Sequence, residues 1–204
     1  MEERILNKAR ELFFSFGIRS VTMDDIAREM GVSKKTIYQC YTDKNAIVEN
    51  VINGLVSEHG SKVDEFYRNA ENAIHEVVLQ TETIAGIIQS IKPGVFYELQ
   101  KYFPETWRLI EGHRSECILK AIDNNLHRGI REGIYRPEMN IGTIAHIRMV
   151  QLNSVLNLQD FPADKFSYQA ILNEITELYL YGIANHAGQK QISNYIKPNN
   201  TITQ

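Results

Sequence analysis

Apolar positions recur along the chain at steps of three and four residues, the repeat of an α-helix rather than the alternation of a strand. Ile5, Ala9, Leu12, Phe13 and Phe16 make one stripe on a first helix that should stop at Gly17. Thr22 is a natural N-cap, followed by Asp24 and Asp25 where carboxylates favour the helix dipole. Ile26, Ala27 and Met30 then face inward until Gly31 closes a short second helix, and Ser33 caps a third that carries Lys34 to Gln39. Asp43 starts a fourth, through Ile47, Val51 and Leu55. Longer helices are expected over 61–91, 95–102, 105–131, about 140–158 and 165–187, separated by Lys92-Pro93-Gly94, Phe103-Pro104, the Gly133 to Pro137 exit and Asp160-Phe161-Pro162. The tail from Tyr195 is expected to fray.

No alternating Val/Ile/Thr runs joined by Asn-Gly or Asp-Gly turns occur, so the fold class is all-α. Three short helices with a tight glycine turn between the second and third are the organisation of a helix-turn-helix unit. The expected division is residues 1–46 for that unit and 47–204 for a larger helical domain.

Composition narrows the class. The chain has 204 residues, 43% of them hydrophobic, and no run approaches the ~20 apolar residues of a membrane span. The opening Met1-Glu2-Glu3-Arg4 lacks a basic stretch before an apolar one, and Cys40 and Cys117 are the only cysteines, so the expected location is cytoplasmic, away from membranes, with reduced thiols. A net charge of −3 excludes a broadly basic nucleic-acid coat. Residues 1–45 carry eight Lys/Arg against seven Asp/Glu, and the remainder fourteen against eighteen, a modest asymmetry whose sign would turn the N-terminal end toward a polyanion.

The candidate chemistry lies in the third helix. A recognition helix needs a short exposed polar face to enter a major groove about as wide as a helix. Lys34, Lys35, Thr36 and Gln39 supply such a face while Ile37 points to the core; Lys donates to guanine O6/N7 and Gln pairs with adenine. Thr22 and Ser33 stand at helix N-termini, where amides and hydroxyls meet phosphates, although both also serve as plain caps. Isolated lysines on a short helix are ordinarily solvated surface; the surrounding pattern distinguishes these. That pattern, Ala9, Leu12, Phe13, Gly17, Val21-Thr22, Ile26-Ala27, Gly31-Val32-Ser33, Thr36, Tyr38, Tyr41 and Lys44, resembles the DNA-binding domain of the TetR (tetracycline repressor) family at its own spacing. The resemblance implies that Thr36 and Tyr38 contact backbone and base edges and that Lys44 contacts a phosphate. Cys40 departs from it, standing where the family usually has an aromatic residue or histidine; a small buried filler is expected there rather than a redox sensor.

The same resemblance implies a near-palindromic double-stranded operator, a homodimer, and a small-molecule site in the body. Tyr181-Gly182-Ile183 resembles the family's last-helix pattern. Two stripes suit a four-helix dimer seam: Ile144, Ile147, Gln151, Val155 and Leu158 on one helix, Leu172, Ile175, Tyr179, Gly182 and Ile183 on the other. Both are also compatible with ordinary core. Pocket candidates for an apolar or aromatic ligand are Phe66, Phe96, Tyr97, Tyr102, Phe103, Trp107, His113, Met149 and Asn153, many of which also suit plain core. His113 and Cys117, four apart beside Glu116, lack a third ligand at good spacing, so neither a metal nor another cofactor is expected. No nucleophile–base motif, phosphate loop or carboxylate pair stands out, which argues against an enzyme. The expectation is a transcriptional repressor released from its operator by a ligand. An activator, or a regulator without a ligand, is the alternative within the family.

Overall fold

A computed structural model describes residues 1–92, 94–155, 161–162 and 165–196. The helices run α1 (Glu2–Phe16), α2 (Met23–Met30), α3 (Lys34–Cys40), α4 (Lys44–Asn69), α5 (Ala73–Gln89), α6 (Val95–Tyr102), α7 (Pro104–His113), α8 (Leu119–Arg131), α9 (Ile141–Ser154), α10 (Tyr168–Ile183) and α11 (His186–Tyr195). Among the described residues there is no β-strand, only an isolated bridge between Tyr135 and Ala184. The all-α expectation holds.

Packing divides the chain into two units: residues 1–61 with 87–115, and 62–86 with 116–204. The functional division expected after residue 46 falls inside α4, so the first unit takes in more than the three N-terminal helices.

In the first unit, Ile5, Ala9, Phe13, Ile26, Ile37, Ile47 and Leu99 are completely or almost completely buried in one apolar cluster. The stripe on α1 is rotated from the expected one: Phe14 is buried and Phe16 exposed. The caps are as read from the sequence. Thr22 and Asp25 form a reciprocal capping box, in which Thr22 Oγ1 accepts from Asp25 N at 3.1 Å and Asp25 Oδ2 accepts from Thr22 N at 2.9 Å. Gly31 ends α2 at φ 65°, a left-handed conformation that glycine adopts without a Cβ penalty, and so makes the tight turn into α3. Asp43 Oδ1 accepts from Ala46 N at 2.9 Å at the start of α4.

The second unit is tied by buried polar groups as well as apolar packing. Arg128 donates to Glu76 Oε2 at 2.9 Å, to Glu132 Oε1 at 2.6 Å and to the carbonyls of Tyr67 and Ala70 at 3.0 Å each. Buried Tyr135 donates to Asn125 Oδ1 at 3.2 Å, and Asn125 Nδ2 donates to the Ala73 carbonyl at 2.9 Å. Gly129 lies under the Tyr135 ring, where a Cβ would stand 2.0 Å from a ring carbon.

Three helix boundaries differ from the expected ones. The helix expected over 61–91 is broken at residues 70–72, because Asn72 Oδ1 accepts from His75 N at 3.0 Å and Glu132 Oε2 accepts from Ala73 N at 2.8 Å, giving α5 a new N-terminus. The span 105–131 is α7 and α8 joined by a π-helical turn, Arg114–Ile118. The last helix splits in two: Asn185 N donates to the Ile134 carbonyl at 3.1 Å while its side chain caps α11 through Ala187 N and Gly188 N. No described helix is long and apolar enough to cross a membrane.

Candidate nucleic-acid interface

The surface of α3 is set by its one buried residue. Ile37 is fully enclosed in the first unit's cluster, so its neighbours point away from it. Lys34, Lys35, Tyr38 and Gln39 are exposed and Thr36 is half-buried. This is a polar helical face two turns long, held by an apolar anchor.

The ends of that face are pinned. Ser33 Oγ accepts from Thr36 N at 3.2 Å, and its hydroxyl lies 2.8 Å from Thr36 Oγ1. Lys34 Nζ pairs with Asp24 across the turn, 2.9 Å from Oδ1, and lies 5.9 Å from the Tyr38 ring centre. The pair is exposed and worth little to stability, but it aligns α2 with α3 and raises the Lys34 pKa through the hydrogen bond to Asp24. Thr22 Oγ1 donates to Asp25 Oδ2 at 2.7 Å, so its hydroxyl is engaged in the cap. Asp25 is also paired with Arg28 at 2.5 Å; the Thr22 hydrogen bonds lead in holding its carboxyl below the usual range.

Lys44 occupies a different environment. It is half-buried, with Nζ 3.4 Å from the Arg19 carbonyl and 6.0 Å from the Phe13 ring centre. Burial lowers its pKa; Glu98 and Asp25 pull the other way and Arg19 adds to the lowering. Cys40 is half-buried against the same apolar cluster. Chemically the surface offers ammonium groups, hydroxyls and one carboxamide over the reach of a short helix, the donors that read base edges and phosphates.

Residues 5–51 match the model of the bacterial regulatory proteins of the tetR family. That match covers the helix-turn-helix unit, 47 of the 204 residues. Along most of its length the chain is similar to the HTH-type transcriptional regulator YvaF of Bacillus subtilis, 25% identical over 186 residues, which are 90% of this chain and 95% of that one. Its fold is that of a transcriptional regulator from Saccharomonospora viridis solved with choline (TM-score 0.74, 16% identity, 91% of this chain and 98% of that one). It is also that of FadR from Bacillus subtilis solved with stearoyl-CoA (TM-score 0.68, 17% identity, 90% and 100%).

The nominated ligand-pocket residues are distributed over both packing units. Phe96, Tyr97, Tyr102, Phe103, Trp107 and His113 belong to the first, and Phe66, Met149 and Asn153 to the second. Phe96, Phe103 and Trp107 pack against the first unit's apolar cluster, Tyr97 and Tyr102 stand on the surface, and Phe66 and Met149 are half-buried. His113 is hydrogen-bonded to His59, and Asn153 is exposed. A cleft of about 340 Å³ in the second unit is lined by other residues, among them Thr81, Asn173, Thr176 and Tyr195. Among the described residues no three His, Cys, Asp or Glu side chains converge as a metal site, and none does so around His113 and Cys117.

The nominated seam residues also separate. Val155, Leu172, Tyr179 and Ile183, all of the second unit, are buried in the single chain, while Ile144, Gln151 and Ile175 are half-buried. Ile147 and Gly182 are exposed, and Leu158 lies outside the described residues. The exposed apolar side chains of α9 and α10 are Ile147, Val150, Leu178 and Tyr181, with Val150 and Leu178 both 67% exposed. Sequence periodicity missed Val150 and Leu178 because a helix apolar on most of its circumference does not announce which side faces its own core. Gln151 Oε1 is buried and has no hydrogen-bond partner among the described residues.

Proposed function

We propose that this chain is a TetR-family transcriptional regulator, a homodimeric repressor that reads a near-palindromic operator with α3 and is released by a small molecule bound in its helical body. The observation that carries the reading is the two-turn polar face of α3, built outward from the buried Ile37. Lys34, Lys35, Thr36, Tyr38 and Gln39 would contact base edges and adjacent backbone, Ser33 and Lys44 would contact phosphates, and Thr22 would join them by turning its hydroxyl from Asp25 to a phosphate oxygen. One such face reads too few base pairs for useful specificity, so two copies would be set about one helical turn apart. The exposed Ile147, Val150, Leu178 and Tyr181 offer an isologous surface for that pairing, with the unsatisfied Gln151 Oε1 awaiting a donor from the second copy.

Ligand release has support from solved relatives of the same fold, one holding choline and another stearoyl-CoA. The continuous helix α4 begins beside the reading unit and runs on to Asn69, so a ligand that favours one of its positions would move α3. Tenfold derepression needs only about 1.4 kcal/mol of differential binding. Selection of random duplex DNA by the full chain, followed by affinity measurements across salt on the winners, tests the reading. A palindromic consensus bound at nanomolar strength is expected; no enrichment over random DNA would refute it.

A further inference from the structure

Beside the reading unit lies a surface that the helix-turn-helix does not use. Arg19 Nη1 donates to the Tyr102 hydroxyl at 3.2 Å, and its guanidinium lies 4.3 Å from the Tyr102 ring centre. Lys101 Nζ donates to the Tyr97 hydroxyl at 3.0 Å and stands 5.3 Å from the centres of both rings. Arg19 and Lys101 are exposed, and so are Tyr97 and Tyr102, by 51% and 41%.

The hydrogen-bond directions make this cluster one-sided. Arginine and lysine have only donors. Each phenol oxygen already accepts from a cation, which leaves its own O–H to be donated. The cluster therefore presents N–H and O–H groups carrying positive charge, a surface made for an anion. The one acid on the same helix, Glu98, is outnumbered by the two cations and is turned to the backbone. Glu98 Oε2 accepts from the backbone N of Arg19 at 2.9 Å, half-buried against the turn.

The partner is indicated by what the cluster adjoins. Lys44 Nζ, assigned above to a phosphate, reaches the Arg19 carbonyl, and Thr22 follows Arg19 by three residues. A row of donors running on from a phosphate contact fits the regular negative charges of a duplex backbone. We propose that Arg19, Tyr97, Lys101 and Tyr102 form a second phosphate-binding surface, which holds the operator backbone outside the base pairs read by α3. This rests on the DNA-binding reading and extends the contact from the helix-turn-helix to α6. It also gives Tyr97 and Tyr102 a role other than lining a ligand pocket.

The test uses the full chain and the consensus recovered by selection, as two duplexes. One is trimmed to the consensus and the other is extended by about ten base pairs on each side, one helical turn. Affinity is read by fluorescence anisotropy across salt. Lys101→Ala is expected to lower the salt slope on the extended duplex by about 0.9 per lysine, or about 1.8 for a dimer, and to leave it unchanged on the trimmed one. Tyr102→Phe, which keeps the ring and removes the donor, should weaken binding to the extended duplex alone. Identical slopes for the parent protein and Lys101→Ala on the extended duplex would overturn the proposal. So would an equal loss on both duplexes, because the lysine would then act by packing the reading unit. If the parent protein enriches no duplex, the DNA-binding reading itself fails, an outcome distinct from either of these.

Discussion

His113 Nε2 lies 3.0 Å from Nδ1 of His59, with the two rings at 88°. One proton serves that contact; protonating both rings sets N–H against N–H. Burial lowers the His113 pKa below its ordinary value near 6.5. The unfolded chain then binds a proton that the folded one resists, so this contribution to stability is full above about pH 6.5 and is lost as the pH falls through the depressed folded value. Thermal denaturation at a series of pH values from 7.5 to about 5 should show a falling midpoint, and His113→Gln should flatten that fall. An unchanged slope in the variant would remove His113 as its cause.

Lys44 and Gln39 should fail differently. Lys44→Ala should weaken binding to all sequences alike and reduce the salt slope by about one per protomer. Gln39→Ala should leave that slope intact and relax the preference at one operator position, by about 1–3 kcal/mol if it reads adenine through both amide atoms. The two variants are compared by titrating a panel of single-base operator changes across salt. A base-specific effect of Lys44→Ala with an unchanged slope would contradict its phosphate role.

Gly129→Ala tests the second unit's core. Its Cβ would meet the Tyr135 ring at 2.0 Å, and that ring is held in place by its hydroxyl bond to Asn125. Overpacking of this kind costs about 1–3 kcal/mol, visible as a lower midpoint in urea. Wild-type stability in the variant would mean that the ring has room to shift.

Leu178→Asp should separate the copies. Leu178 is two-thirds exposed on α10, and covering it in a pair would contribute about 1–2 kcal/mol on each protomer. If the two copies pair through this face, light scattering after gel filtration should show a dimer for the parent and a monomer for the variant at the same concentration, together with a large loss of operator affinity. A variant that remains dimeric would place the interface elsewhere.

Local chemistry made the first three helices legible from the sequence. Thr22 with Asp25, Gly31, and Ser33 with Thr36 each act within four residues, so the helix boundaries they set need no distant partner, and Ile37, the one aliphatic residue of α3, marks the side that the cluster later encloses. The helical period alone likewise sufficed for the all-α class. Other features depended on contacts remote in sequence. Glu132 reaches Ala73 N and so breaks the helix expected over 61–91, and the Ile134 carbonyl takes Asn185 N where the last helix divides. The periodicity of α9 and α10 could not tell core from surface, because both helices are apolar on most sides; packing buries Leu172, Tyr179 and Ile183 and leaves Val150 and Leu178 outside. Tyr97 and Tyr102 read as pocket walls by composition, yet the tertiary structure sets them on the surface, where the cations of Arg19 and Lys101 lie over their rings. Caps and turns are short-range and are written in neighbouring residues, whereas the facing of a helix is settled only when all of its neighbours compete for the same buried space.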